Sequence, residues 1–204
     1  MFKAVVKLKI DNAAVQRKID KALANSISVK RAAYNKAYGV FRSAKRAMIA
    51  AFNRHLITQE IEAGPTAMNF SGTLGGYGNL YSFIGFHDGD RPTEPLRWLL
   101  EQVSMEQTIY RNRKWYFRVR IPDDRDVAGV TPMPWEVGNS WALAVEHYIS
   151  GLSHYMYKRS DASRSSMGIQ LADENWGEDL PFEGKAYISE ILKSFREKIN
   201  EAST

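Results

Sequence analysis

Two histidines and a neighbouring carboxylate are the residues best suited to bind a metal ion. His147 and His154 lie seven residues apart and could share one face of a helix, with Glu146 next to the first of them. This spacing matches no known zinc-ligand signature, and ordinary partly buried histidines are the more common interpretation. We therefore predict no metal site at these residues.

A carboxylate cluster and a glycine-rich segment could each bind a small ligand. Asp123, Asp124 and Asp126 could hold calcium, but the further oxygen ligands and the closing glutamate of a calcium loop are missing. Residues 72–78 contain four glycines, whose backbone amides could cradle a phosphate. No Gly-Lys-Ser/Thr follows, and the segment precedes a predicted strand, whereas a phosphate loop follows one. We expect a solvated acidic loop and a plain glycine-rich loop.

Catalytic motifs are also missing from the sequence. The chain has no Cys, which excludes thiolate metal sites, iron–sulfur clusters and cysteine nucleophiles. It contains no nucleophile-elbow pentapeptide and no paired catalytic acid signature. We predict that the protein is not an enzyme and carries no cofactor.

The charge is distributed unevenly along the chain. The formal net charge is +5, but residues 1–60 hold 13 basic against 3 acidic residues, a net charge of +10, and the remainder has −5. A basic half attracts phosphate or an acidic partner, and an acidic half can meet the basic half of a second copy. Nucleic-acid contact and self-association are both open, beside the simpler alternative of a solvated basic helix face.

A second basic segment has aromatic residues interleaved with its cations. Residues 110–120 combine five Lys and Arg with four aromatic side chains, a composition that can hold single-stranded nucleic acid. Because one set of the alternating residues is needed for a core, Tyr116 and Tyr110 alone remain for base stacking. This segment favours a non-specific contact with a polyanion over sequence-specific recognition.

The N-terminal part of the chain predicts a strand followed by a long helix. Residues 2–10 alternate apolar and basic side chains with a period of two, and Asp11 or Asn12 can cap a helix that extends to about Arg54. A break is possible near residues 26–30 or at Gly39. The apolar stripe of this helix, which we expect in the core, comprises Val15, Ile19, Leu23, Ile27, Tyr34, Tyr38, Phe41, Met48 and Phe52.

The rest of the chain predicts short elements separated by long loops. In chain order these are an extended loop at 62–79, an aromatic-rich strand at 80–86, a helix capped by Thr93 and running to Glu106, a hairpin with arms 108–111 and 114–121, a loop at 122–134, a short helix or irregular strand at 141–149, an extended loop at 159–175, and a C-terminal helix introduced by residues 181–184.

These elements predict an α+β fold in a single domain over residues 1–204. The long N-terminal helix and the C-terminal helix would pack on a small, mostly antiparallel sheet, with long loops. No apolar run is long enough to span a membrane, and the N-terminus does not resemble a signal peptide, so we expect synthesis in a cytoplasm.

Two short motifs and the order of the elements carry a resemblance. Trp141-Ala142 is followed by Val145-Glu146 and, further on, by Pro181-Phe182, which opens the last helix. With the long basic helix and the segments 58–65 and 71–80, this order resembles the neck or tail-completion proteins of tailed bacteriophages. The resemblance spans most of the chain.

The resemblance implies a structural role in a virion. Proteins of this kind form an oligomeric ring that joins the DNA-filled head to the tail, so the partners would be copies of this chain, the adjoining connector and tail proteins, and DNA in the lumen, contacted without sequence specificity. We expect the protein in the neck or tail of a phage made in the host cytoplasm. The layer of the neck that the protein would form stays open among head closure, tail completion and tail terminator. The alternative function is that of a small basic nucleic-acid-binding module.

Two groups of residues are the candidate contacts under this hypothesis. The candidates for subunit-facing or DNA-facing contacts are Arg17, Lys18, Lys21, Lys30, Arg31, Arg42, Lys45 and Arg46. The candidates for a loop that reaches an adjacent ring are Gly72, Thr73, Leu74, Tyr77 and Asn79.

Overall fold

The structure, a computed structural model, describes residues 12–74, 78–112, 114–135, 137–147 and 185–201. These residues form eight α-helices, one short 3-10 helix and one antiparallel hairpin, which confirms the α+β class. The predicted strand at 2–10, Tyr77, His154, the loop at 159–175 and the Pro181-Phe182 motif lie outside the described residues.

The chain divides into two compact units. The first unit comprises residues 1–41 and 105–119, and the second comprises residues 42–104 and 120–204. One boundary falls within the second helix, so that helix contributes residues to both units.

The predicted long helix is interrupted once. Helix α1 spans Asn12–Asn25 and α2 spans Ile27–Arg54, with the break at Ser26. The Ser26 hydroxyl accepts a hydrogen bond from the Val29 amide at 3.4 Å, as the N-terminal capping residue of a new helix does. Gly39, the other predicted position for a break, lies inside a continuous α2.

The predicted hairpin is confirmed, but its first arm is longer than predicted. It begins at Ser104, because the helix that was expected to run to Glu106 ends at Glu101. Strand β1 spans Ser104–Arg111 and β2 spans Lys114–Arg120, and the side chains of β2 alternate between exposed and half-buried. Asn112, at the two-residue turn, has a φ of 51°, a left-handed conformation that asparagine tolerates better than most residues.

The second unit is built from short helices. They are α3 (Leu56–Glu62), the 3-10 helix (Gly64–Thr66), α4 (Leu80–Ile84), α5 (Thr93–Glu101), α6 (Asp124–Val130), α7 (Trp141–His147) and α8 (Ile188–Glu201). The C-terminal helix is confirmed, and residues 141–147 are a helix, the first of the two predicted alternatives.

Large side chains from several of these helices form the core of the second unit. Phe52 stacks on Tyr187 with ring centroids 6.1 Å apart, and Trp141 meets Phe86 edge-on at 5.8 Å. All four rings are buried. In α8 the predicted apolar stripe is buried at Ile188, Ile191, Leu192 and Phe195.

Three predictions for the second unit are wrong in detail. Residues 80–84 form a helix and not a strand, because the Asn79 side chain caps its start through the Ser82 amide and Gly85, with a φ of 89°, ends it. Residues 124–130 are helical and not a loop. Thr93 is the first residue of α5 and not its cap, and its hydroxyl donates to Glu62 at 2.9 Å.

Candidate functional site

The surface of α1 and of residues 27–41 of α2, which we call the N-terminal surface, is both apolar and basic. Helix α1 has no buried residue, and its apolar stripe of Val15, Ile19 and Leu23 is between 38% and 46% exposed. The prediction that these three residues belong to the core is therefore wrong. An isolated helix of 14 residues is only marginally stable in water, because helices in proteins draw their stability from a packed apolar face.

The stripe is buried only further along α2. Phe41, Met48 and Phe52 are buried as predicted, whereas Ile27, Tyr34 and Tyr38 are exposed. Tyr34 and Tyr38 stack on each other with ring centroids 5.8 Å apart and planes 9° apart. Tyr34 also meets Phe117 of the hairpin edge-on at 6.2 Å, which fixes the orientation of the pair.

Most of the predicted contact cations lie in solvent. Among the described residues, the ion pairs are Arg91 with Glu94 and Arg97 with Glu62, so none of them involves a cation of the N-terminal surface. The exposed candidates are Arg17, Lys18, Lys21, Lys30, Arg31, Arg42 and Arg46, of which the last two belong to the second unit.

Lys45 is different from the other candidates, because its ammonium is held inside the second unit. Its Nζ donates to the carbonyl oxygens of Glu101 at 2.5 Å and of Val103 at 2.9 Å. These carbonyls lie at the C-terminal end of α5, where a cation is favoured by the helix dipole. The side chain thus helps to position α5 and is half-buried, unlike the other candidates, and its predicted contact role stays a prediction.

The described part of the predicted reaching loop is anchored in the protein. Thr73, Leu74 and Asn79 are buried, and the Leu74 amide donates to the Asn69 side chain at 3.1 Å. The contact with an adjacent ring that we predict for this segment stays a prediction. The side chains of these three residues are buried and therefore do not lie on the surface.

A buried carboxylate organises the same loop. The Glu60 side chain, fully buried on α3, accepts hydrogen bonds from the Leu80 amide at 2.8 Å, from the Ser71 amide at 2.9 Å and from the Asn69 side chain at 2.8 Å. It therefore joins α3 to the start of α4 and to the loop between them.

Gly72 lets a lysine approach the same loop closely. Gly72 has a φ of 67°, and a Cβ placed on it would lie 3.3 Å from the Lys185 ammonium. That ammonium donates to the carbonyl oxygen of Ser71. The positive φ and the close approach of Lys185 both explain why glycine occupies this position, and neither explanation involves a phosphate.

A second polar group ties the start of α8 to α3 and α7. The Tyr187 hydroxyl shares a hydrogen bond of 2.7 Å with Thr58, and Glu146 accepts from the Ser189 amide at 2.8 Å as a cap of α8. Burial raises the pKa of the Tyr187 hydroxyl. Burial lowers the pKa of His55, although the negative charge of Glu190 acts to raise it. The His55 ring lies 4.8 Å from the ring of Tyr187. These contacts are structural, within the second unit.

Three of the side chains considered for metal binding, those of Asp123, Asp126 and Glu146, cap helices. Asp123 and Asp126 form a capping box at the start of α6, in which each side chain accepts from the other's backbone amide. Across the described residues, no group of three or more His, Asp or Glu side chains could hold a metal ion. No helix in the described part of the chain is long and apolar enough to cross a membrane.

Trp98 and Glu60 were missed by the sequence analysis, although both had a signal. Trp98 lies two residues from the buried Leu96 and Leu100, and a step of two residues leads to the opposite side of a helix. Its 58% exposure follows from that position. Glu60 lies three residues after Ile57 and directly before Ile61, which places it on the apolar side of α3.

Comparisons with known proteins do not add a family to these observations. No protein-family model, no curated protein and no solved structure matches the chain.

Proposed function

We propose that this protein is a structural component of a tailed-phage virion, a non-catalytic subunit of the oligomeric ring that joins the head to the tail. One observation supports the proposal most strongly. Helix α1 carries its apolar stripe on the surface and buries none of its residues, so the subunit presents a surface that a partner would stabilise.

The order of elements supports the same proposal. The basic N-terminal helices and the Trp141-Ala142 and Val145-Glu146 motifs on α7 occur in the order of the neck and tail-completion proteins that the sequence resembles. On α7 these motif residues form an inner face, with Trp141, Ala142 and Val145 buried and Glu146 capping α8. The motif thus has a structural reason in this chain, because it joins α7 to the C-terminal helix.

The proposal assigns partners and a location. Copies of the same chain would surround the lumen, and the adjoining connector and tail proteins would contact the ring from either side. Exposed cations such as Lys30 and Arg31 would make non-specific contacts with the DNA that passes through. The protein would be found in the virion neck after synthesis in the host cytoplasm.

The deciding experiment is electron microscopy of lysates from a tailed phage that encodes this chain and carries an early stop codon in its gene. We expect full heads and finished tails that lie apart, and joined particles when the wild-type gene is supplied from a plasmid. Normal infectious particles in the absence of the protein would overturn the proposal.

A second candidate function, single-stranded nucleic-acid binding, is favoured by the tyrosine pair. Tyr34 and Tyr38 are 40% and 43% exposed, and Lys30 and Arg31 lie one helical turn before Tyr34. Stacking on exposed aromatic rings near cations holds single strands with little sequence preference.

Fluorescence anisotropy with a labelled oligonucleotide tests this second candidate. Removing both rings with Tyr34→Ala and Tyr38→Ala should weaken binding at every salt concentration, whereas Lys30→Gln should reduce the slope of log affinity against log salt. Equal binding by the tyrosine double variant and by the wild type would exclude this function for the pair. Phe70→Ala, at an exposed aromatic residue of the second unit, is the matched control.

A further inference from the structure

An exposed tryptophan marks a second surface, on the other unit of the protein. Helix α5 buries Leu96 and Leu100, while Trp98 on the opposite side is 58% exposed. Tryptophan is large and apolar, and it is the residue type most enriched among the residues that dominate protein interfaces. Such a side chain on the outer face of a well-packed helix indicates a docking point.

Two carboxylates flank this tryptophan. Glu94 lies four residues before Trp98 and Glu101 three residues after it, so both lie beside it on the helix surface. Both are exposed, and Glu94 pairs with Arg91 in solvent at 2.9 Å, an interaction of little strength. Two neighbouring cations are engaged with other groups. Arg97 donates to Glu62 and Asn53, and the Lys45 ammonium donates to the backbone carbonyl oxygen of Glu101. We call Glu94, Trp98 and Glu101 the acidic patch.

The N-terminal surface has the complementary chemistry. Lys18 lies three residues after Val15 and next to Ile19, so it borders the exposed apolar stripe of α1. The charges of the whole units have opposite signs as well. The first unit has 13 basic and 3 acidic residues, a net charge of +10, and the second has 15 basic and 20 acidic residues, a net charge of −5.

We propose that the acidic patch of one copy docks on the α1 stripe of the next copy, with Trp98 inserted between apolar side chains of that stripe. This inference rests on the proposed ring, and it assigns the contact that would build it. Because the two surfaces are different parts of one chain, the contact is heterologous and repeats from copy to copy until a ring closes. Opposite charges steer the encounter, and burial of Trp98 and the stripe holds the contact together.

Sedimentation velocity of purified variants tests the contact. Trp98→Ala and Ile19→Ser should each weaken association by roughly 30-fold, the effect of removing a dominant interface residue. Lys18→Glu should have a smaller effect that is strongest at low salt. Leu56→Ser, at an exposed apolar residue of α3, is the matched control and should associate as the wild type does. Circular dichroism establishes that each variant is folded.

A mixture of the two variants, each of which has one disrupted surface, distinguishes this contact from other modes of association. Trp98→Ala keeps an intact stripe and Ile19→Ser keeps an intact acidic patch, so a mixture of the two should form dimers and no larger species. Monomers in the mixture, or wild-type assembly by Trp98→Ala, would overturn the inference. A wild-type protein that stays monomeric at all concentrations would also overturn it.

Cysteine cross-linking gives an independent readout, since the chain has no native Cys. A double variant with Ala22→Cys on α1 and Glu101→Cys on α5 should form a ladder of disulfide-linked multimers on oxidation, and each single variant should not. Absence of a ladder would overturn the contact. The stop-codon phage then decides separately about the neck, because separated heads and tails with no ladder would leave the joining role and reject this interface alone.

Discussion

The Glu60 carboxylate accepts a hydrogen bond from the backbone amide of Leu80, 20 residues further along the chain, at 2.8 Å. This amide is one of the donors at the start of α4 that have no acceptor within the helix, and the carboxylate that accepts from it belongs to α3. Two further bonds to the Ser71 amide and the Asn69 side chain complete the group. A single buried side chain therefore positions α4 and the loop before it.

Replacing Glu60 by Gln should destabilise the protein strongly. The amide group of Gln would turn a donor towards donors that Glu60 now satisfies, and each buried donor left unpaired costs about 1 to 3 kcal/mol. We expect the free energy of unfolding in urea to fall by about 2 to 4 kcal/mol. Glu197→Gln, at an exposed position of α8, is the control, and equal losses for the two variants would contradict the assigned role.

Tyr187 should make the protein less stable in alkaline solution. Burial raises the pKa of its hydroxyl above the value of about 10 in the unfolded chain. Above that pH the unfolded chain releases the proton while the folded protein keeps it, so the free energy of unfolding falls as the pH rises.

Tyr187→Phe isolates this effect. The variant should lose about 1 kcal/mol near neutral pH, because the Thr58 hydroxyl loses its partner, and its stability should fall less steeply than that of the wild type above about pH 10. Urea unfolding over the alkaline range measures both quantities. Tyr116→Phe, at an exposed tyrosine, should change neither, and an identical alkaline slope in Tyr187→Phe would refute the argument.

The helical period of the N-terminal stripe was predictable, but its burial was not. Spacings of three and four residues show which side chains share a face of a helix, and they hold for Ile19 and Phe52 alike. Whether another element covers that face depends on tertiary packing. The same pattern is therefore exposed at Ile19 and fully buried at Phe52.

The short helices were harder to predict because the capping residues at their ends, and not an apolar period, determine where they form. The aromatic and β-branched residues of 80–86 favour a strand, and this preference is overridden by Asn79 and Glu60 at the start of α4. The α6 capping box was present in the sequence as Asp123 and Asp126, three residues apart. The length and polar composition of the segment from Pro122 to Pro134 predict a loop, and the capping box overrides that pattern.

His55 should make stability depend on pH in the acidic range. Burial lowers its pKa below the value of about 6.5 in the unfolded chain, so between the two values the unfolded chain binds more protons than the folded protein. The free energy of unfolding must then rise with pH in that window and fall as the solution is acidified.

His55→Asn tests this dependence without removing the helix cap. The His55 ring accepts a hydrogen bond from the Ile57 amide at the start of α3, and Asn can do the same without titrating. We expect unfolding midpoints in urea to rise more from about pH 5 to about pH 7 in the wild type than in the variant. His87→Asn, at an exposed histidine, is the control, and equal slopes in wild type and His55→Asn would exclude the role of His55.

Gly39 and Gly85 should respond in opposite directions to the same substitution. Gly39 lies in the interior of α2, and a Cβ placed on it would meet nothing within 4 Å, so Gly39→Ala should stabilise the protein by about 1 kcal/mol through the helix propensity of alanine. Gly85 ends α4 with a φ of 89°, and its Cβ would lie 3.2 Å from the Trp135 ring, so Gly85→Ala should destabilise it. Thermal unfolding of both variants compares the two effects. A lower melting temperature for Gly39→Ala would show that α2 is not a regular helix at this residue.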